Sequence, residues 1–377
     1  MPFGDHVALA REVVDLLDHP DELFATRQRA YNYGRKMIWS DVGRRYLDAF
    51  ADAKRQRLRK KVPERRLEAL GLRQQRLPEI KLDHLRRMTD GTGMLQHAKY
   101  TVPDRSHGYC VDDNARALIV AVTAHDLQPL DASLGDLAGV YLSFLGYAFN
   151  DQAGRFRNFM SYDRRWLEES GSEDSHGRAV WGLGVAVSLG RDKGQVGFAV
   201  DLFHRALGAT KHFTHPRAIA FAIIGVHAYL CGFSGDSRAK RMRKKLSSRL
   251  MKKFRDFTAQ EDATEGWPWC ADNLSYDNAR LSQALLLSGQ WLPDREMLEM
   301  GLRSLDWLKR VQTDEAGRHF AAIGNQGWYT RGGEKARFDQ QPIEAAAMVD
   351  ACIEAFNCTR DEEWIAYAYR CLNWFQG

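Results

Sequence analysis

The sequence predicts an all-α protein, an (α/α)6 toroid of helical hairpins with an N-terminal helical extension, and three observations carry that prediction. Apolar residues recur at three- and four-residue spacing through most of the 377 residues, while strand-like alternation is almost absent. From residue 113 onward, helices that are small and apolar nearly all round alternate with longer, charged, amphipathic ones. That is the pattern of a buried inner helix followed by a half-exposed outer one. Inner helices recur at intervals of about 40 to 64 residues, and the extra length always falls before the inner helix, so it gathers at one rim.

Taken in order, the spacing predicts helices over 5–17, 20–34, 40–60, 63–71 and 80–89 before the repeats begin. Inner helices follow at 113–126 (NARALIVAVTAH), 175–190 (HGRAVWGLGVAVSLG), 215–231 (PRAIAFAIIGVHAYL), 277–289 (NARLSQALLLSG) and 341–357 (PIEAAAMVDACIEAF). Their outer partners are 133–149, 195–209, 237–257, 294–312 and 361–375. These make five hairpins, and the sixth is expected from KLDHLRRMT and its neighbour. The resulting domain plan is N-terminal helices over 1–55, a basic linker or helix over 56–79, and the toroid over 80–377.

Composition narrows the function classes. The net charge is +5, yet Lys54 to Arg76 alone holds ten Lys or Arg against two Glu, so the rest of the chain is slightly acidic. No base-stacking aromatics interleave with that basic segment, and it reads as a solvated helix surface rather than a nucleic-acid site. The six cysteines show no C-x-x-C pair and fall mostly within apolar patterns, as reduced core thiols do, which predicts a cytoplasmic compartment. No secretory leader and no membrane-length apolar run is present. The absence of G-x-G-x-x-G, P-loop, G-x-S-x-G and H-E-x-x-H patterns argues against nucleotide, serine-hydrolase and zinc chemistry, so neither cofactor nor metal is expected.

The long loops before the inner helices are DRSHGYCVDD, RRWLEESGSEDSH, KHFTH, TEGWPWCADNLSYD and YTRGGEKARFDQQ. Asp113 and Asp277 each stand directly before Asn-Ala-Arg, where a carboxylate caps a helix and suits its positive end. Capping leaves the neighbours unexplained: Asp112, Glu173, Asp174, Asp272, Asp339 and Glu344 fall on the same predicted rim. Crowded carboxylates push one another's pKa values apart, which is what paired acid and base catalysis on a glycosidic bond requires. Tyr109, Tyr276, Trp267 and Trp269 lie among these acids, as rings that stack on sugars would. His107 and His176 sit beside them, and His97, His212 and His215 are within reach of the rim.

Two parts of the chain resemble known families. Residues 1–50 resemble the C-terminal tail of family 4 retaining glycosyltransferases, on Pro2, Phe3, Asp5, Trp39, Val42, Tyr46 and Leu47. The resemblance implies a remnant or C-terminal part of a longer fusion, with no transferase activity of its own. From about Leu82 the chain resembles the helical domain fused behind such transferases, on LDHLRRMTDGTG, QHAKYTVPDRSHGYCVDDNARAL and EDSHGRAVW. More broadly it is similar to six-hairpin glycosidases and sugar-epimerase relatives, which implies a carbohydrate ligand.

The expected function is therefore a glycoside hydrolase acting on an oligosaccharide or polysaccharide, with a glycosyltransferase or its product as partner. The general acid is expected at Asp113 or Asp277, with its partner among Asp112, Glu173, Asp174 and Asp272. His107, His176, Arg116, Arg280, Gln341 and Glu344 would bind hydroxyls or orient the acids, and Trp267 and Trp269 would form platforms. The alternatives are a non-catalytic glycan-binding module, and an epimerase or isomerase using His107 or His176.

Overall fold

The computed structural model describes residues 5–39, 42–50, 78–259 and 266–376. The basic segment 54–76, the helix expected at 63–71, and Pro2 and Phe3 lie outside them. The chain divides into two units, Met1–Leu77 and Pro78–Gly377.

In the first unit, α1 spans His6–Asp18 and α2 spans Pro20–Gly34. The Asp5 carboxylate caps α1 by accepting from the Ala8 N–H at 2.9 Å. Pro20 lacks the N–H that would continue α1 and instead opens α2, so the break falls at His19. No residue of either helix is buried.

Among its described residues the second unit holds ten long helices in five hairpins: α4 (Val111–Leu127) with α5 (Ala132–Ala148), α6 (Glu173–Leu189) with α7 (Lys193–Leu207), α8 (Pro216–Gly232) with α9 (Ser237–Thr258), α10 (Ala279–Trp291) with α11 (Arg295–Val311), and α12 (Pro342–Thr359) with α13 (Glu362–Asn373). The first of each pair is the inner helix. In α8 every residue from Ala218 to Val226 is buried, whereas α9 and α11 bury one stripe and turn their charges outward, Arg243 of α9 excepted. Each outer helix begins the same way. Asp131, Asp192, Asp236, Asp294 and Asp361 stand at the N-caps and accept backbone N–H bonds from two or three residues ahead, a cap that stabilises each turn by about 1 kcal/mol.

Neighbouring inner helices α6 and α8 meet backbone to backbone. A Cβ on Gly184 would lie 2.0 Å from the Gly225 carbonyl oxygen, and one on Gly225 2.6 Å from the Trp181 Cα. Gly184→Ala should therefore force the two helices apart and lower the unfolding free energy by about 1–3 kcal/mol, read from urea denaturation. Unchanged stability would rule out so close an approach.

Short strands are the main departure from the sequence reading. The loops ahead of the inner helices form small antiparallel pairs, the largest being β1 (Leu95–Lys99), β2 (Val102–Cys110) and β5 (Phe159–Met160), in the order β1-β2-β5. Two further pairs are β3 (Phe149–Asn150) with β4 (Arg155–Phe156), and β6 (Asn273–Leu274) with β7 (Tyr329–Thr330). VPDRSHGYC carries no alternation; its strand exists because partners lie on both sides. The material expected to supply the sixth hairpin forms α3 (Asp83–Met88) and the β1–β2 pair instead. Helix α3 stops there because Asp90 turns the chain, its Oδ1 accepting from the N–H groups of Thr92 and Gly93. Among the described residues no helix is long and apolar enough to cross a membrane.

Candidate active site

The N-terminal ends of the inner helices share one rim, and a buried arginine ties them together. Arg178, in the second turn of α6, is 3% exposed. Its Nε lies 2.5 Å from Asp112 Oδ1, in the first turn of α4, and its Nη2 lies 2.9 Å from Asp277 Oδ2, just ahead of α10. The second contact is an ion pair without an aligned hydrogen bond, since Oδ2 meets no properly directed donor. Burial opposes the charge on Arg178, and Asp277 and Asp112 more than offset it, so the guanidinium is held more firmly than in water.

The chain of charges continues. Arg280 Nε lies 3.3 Å from Asp277 Oδ1, and its Nη1 donates to Asp350 Oδ2 at 2.6 Å and to Gln283 Oε1 at 2.8 Å. On the other side Arg116 Nη2 donates to Asp112 Oδ2 at 2.7 Å and to Asp113 Oδ1 at 2.6 Å. Carboxylates and guanidiniums thus alternate across α4, α6, α10 and α12. Aromatic faces lie beneath them: Arg178 sits 4.1 Å over Phe221, Arg280 4.6 Å over Trp181, and these two rings stack on each other.

The two copies of Asp-Asn-Ala-Arg do not start their helices alike. Helix α4 begins at Val111 with Cys110 as its cap, which puts Asp112 and Asp113 inside the first turn. Asp277 has φ +56°, in the left-handed region, and the helix starts beyond it with Asn278 at the cap. Asp277 is only 1% exposed, and Asp113 takes bonds from Arg116 and from the Cys110 thiol.

Three lobes that share lining residues open over this network. The largest, about 750 Å³, is lined by Arg116, Trp181, Tyr276, Trp328, Gln341 and Phe375 among others. A smaller one, about 330 Å³, runs along Asp112, Asp113, Asn158 and Asp174, and a third, about 640 Å³, along Asp174, His215, Arg217 and Asn273. Tyr276 borders all three. Its hydroxyl donates to Asp174 Oδ2, and burial together with the Asp174 charge pushes its pKa up to about 12. Arg217 lies 4.0 Å over its ring and donates from Nε to its carbonyl at 2.7 Å.

Several expected residues have other partners. The Glu173 carboxylate accepts from the N–H groups of Thr214 and His215 at 2.7 and 2.9 Å, and these donors overcome burial to hold it below the usual range. His176 is buried, its Nδ1 accepting from Phe156 N–H and its Nε2 donating to the Ala206 carbonyl, and burial pulls it down to about 4. His107 is exposed on β2, beside Asp104 and the ring of His97. Tyr109 is buried and donates to Asp90 at 2.6 Å. Trp267 donates to the Ala271 carbonyl and packs on Trp307 and Tyr329, while the Trp269 ring packs on Phe254 and also borders the third lobe. Asp272 is exposed at the β6 end, and Asp339 accepts from Gln326, away from the lobes. Sequence reasoning passed over Arg178, Arg217 and Trp181. The available signal was a lone arginine on each of two inner helices otherwise apolar all round.

Glu344 lies under the network, 1% exposed, accepting from Asn278 N–H, Asn278 Nδ2 and Gln312 Nε2. Burial raises it from 4.5 to about 7, with Asp277 adding to the rise. A carboxyl raised on folding binds more protons in the native state. Its contribution is complete below the unfolded pKa and is lost as pH rises toward about 7. Stability should fall by on the order of 3 kcal/mol across that window, and the fall should be absent in Glu344→Gln when both are unfolded in urea at several pH values. The buried, unpartnered Gln312 Oε1 is an acceptor for a protonated or amide side chain there once the Gln312 amide turns over. Equal pH slopes in the two proteins would overturn the assignment. Among the described residues no group of three or more His, Cys, Asp or Glu is placed to hold a metal.

No protein-family model matches the sequence, and neither does any curated protein. Solved structures do share its architecture. A cellobiose 2-epimerase from Bacillus thermoamylovorans superposes with TM-score 0.61 at 13% identity, covering 78% of this chain and 84% of that one. A sugar epimerase from a ruminal bacterium gives 0.59 at 15% identity, over 77% and 82%. An alpha-mannanase from Bacteroides thetaiotaomicron gives 0.50 at 11%, over 72% and 75%. At these identities the likeness is one of fold, and the fold of this chain is the (α/α)6 toroid of six-hairpin type.

Proposed function

We propose that the cleft processes a carbohydrate, as a glycoside hydrolase in which Asp112 is the proton donor and Asp174 its partner carboxylate. The observation that carries this reading is that both side chains line one open lobe with different partners, Asp112 between two arginines and Asp174 against a tyrosine hydroxyl. Burial pushes the Asp112 carboxyl up against the pull of Arg178 and Arg116, and the charges of Asp113 and Asp174 add to the rise. A raised carboxyl is what protonation of a leaving oxygen needs. Among the described residues Asp174 has no arginine or lysine within 4 Å, its bonded partner being the Tyr276 hydroxyl. Asp113 and Asp277, the acids first expected, share with Asp112 the pairing to arginines, and the role is given to Asp112 because burial raises its carboxyl. In the reaction the glycosidic C–O bond breaks, the leaving oxygen takes the Asp112 proton, and water supplies a hydroxyl to the sugar carbon as its proton passes to Asp174. Trp328 and Tyr276 supply ring faces for sugar stacking in the largest lobe, over a floor that includes Trp181.

Two other readings have specific support. The arginine pairing of Asp112, Asp113 and Asp277 suits a site that binds glycans without turnover. The fold of the solved epimerases suits isomerisation, with His215 as the histidine that borders the cleft; His107 and His176, first considered for that role, have other partners. The likeness of residues 1–50 to a transferase tail supports a glycan built by a family 4 glycosyltransferase. Incubation with a broad glycan library, read by mass and by NMR, separates the readings. Gain of one water identifies hydrolysis, unchanged mass with new ring signals identifies epimerisation, and retention without change identifies a binding module. No interaction with any glycan would overturn all three.

A further inference from the structure

We propose that the opposite end of the toroid carries a second site, for a compact oxyanion, built by Arg243 and His227 beside Trp291. Helices α8 and α10 run away from the cleft. His227 lies ten residues beyond Arg217 and Trp291 eleven beyond Arg280, so both stand about 15 Å down the helix axes from the rim.

Three arginines are buried among the described residues: Arg178, Arg280 and Arg243. The first two each sit between two carboxylates. Arg243, on α9 and 7% exposed, differs: among the described residues it has no ion pair and no hydrogen bond, and its Nε is buried without a partner. Its guanidinium carbon lies 5.4 Å over the ring of Trp291, which is 56% exposed and forms an open wall. His227 points to the same place. Its ring contacts Trp291 with centroids 5.6 Å apart, its Nε2 is 3.7 Å from the Cys231 thiol, and its Nδ1 is buried and unpartnered.

Burial pulls His227 down to about 4 with Arg243 adding repulsion, and burial also lowers Arg243, so each cationic form lacks a counter-charge. The acid that neighbours Cys231 is Glu354, held by Gln290 and itself raised by burial; it is not within 4 Å of Arg243. A planar guanidinium and, in the tautomer whose Nε2 accepts from the Cys231 thiol, an imidazole Nδ1–H with no acceptor match the forked geometry of a phosphoryl or carboxylate group. A buried charge left alone is costly, and a bound oxyanion offsets that cost.

The test follows the thermal unfolding midpoint of the full chain, with calorimetric titration, in low-salt buffer with inorganic phosphate or acetate added at constant ionic strength. Wild type should show saturable binding and a rising midpoint with at least one of the two anions, and which one responds separates phosphoryl from carboxylate ligands. Arg243→Met should bind at least about tenfold more weakly, and His227→Gln should also be weaker. Without added anion, Arg243→Met should melt no lower than wild type, because an uncompensated buried charge has gone. Absence of saturable binding by wild type, or equal binding by Arg243→Met, overturns the proposal.

Discussion

Replacing Arg178 by methionine should lower the unfolding free energy by about 3 kcal/mol or more, the largest stability effect expected of any rim residue. The guanidinium is 3% exposed and joins Asp112 to Asp277, whose side chain is 1% exposed. Its removal strips Asp277 of one of two cations and leaves a buried carboxylate short of compensation, with Arg280 at 3.3 Å as its remaining partner. Because the cost comes from the stranded charge, a second change should recover part of it. Arg178→Met combined with Asp277→Asn should be more stable than Arg178→Met alone, a coupling read directly from a double-mutant cycle in urea. Additive losses would mean that the two side chains do not share an interaction.

Asparagine at Asp112 or at Asp174 should reduce turnover of a glycan substrate by about 10²- to 10⁴-fold with the fold retained, as expected for loss of a positioned acid or base. The pH dependence separates their roles. A donor must be protonated, so the wild-type rate should fall as pH rises through the elevated Asp112 pKa, and Asp112→Asn should lack that limb. If Asp113→Asn or Asp277→Asn lost turnover while Asp112→Asn kept it, the donor would be where the sequence first suggested. Circular dichroism and urea midpoints must accompany the kinetics, because Asp112 also neutralises Arg178.

The helices were legible because they depend on local information. All five inner and five outer helices lie within three residues of their expected ends, since a 3.6-residue apolar period, an aspartate cap and a proline at N1 act over one or two turns. The short strands were not legible, because β2 is held by pairing with β1 and β5 rather than by its own pattern. Of the rim acids, Asp112, Asp113, Asp174 and Asp277 do come together. The individual roles of the rim acids were not legible: Glu173 and Glu344 look as suitable as Asp174 in the sequence, yet one satisfies the backbone ahead of α8 and the other lies buried under Asn278. The same holds for His176, which stands beside Glu173 and Asp174 in the sequence but turns inward to the Ala206 carbonyl.

By itself the sequence determined the class of fold, the order of inner and outer helices, and the rim on which acids, arginines and aromatics gather. Helix periodicity and loop length are properties of neighbouring residues, and they suffice for that much. Only the tertiary structure decided which carboxylates meet which guanidiniums, that Trp267 packs in the core while Trp269, Trp181 and Trp328 border the lobes, and that Arg243 lacks the acids which Arg178 and Arg280 possess. Charge pairing and ring stacking depend on distances of a few ångströms between residues as many as 165 positions apart, as Asp112 and Asp277 are across Arg178, and no local pattern encodes such distances.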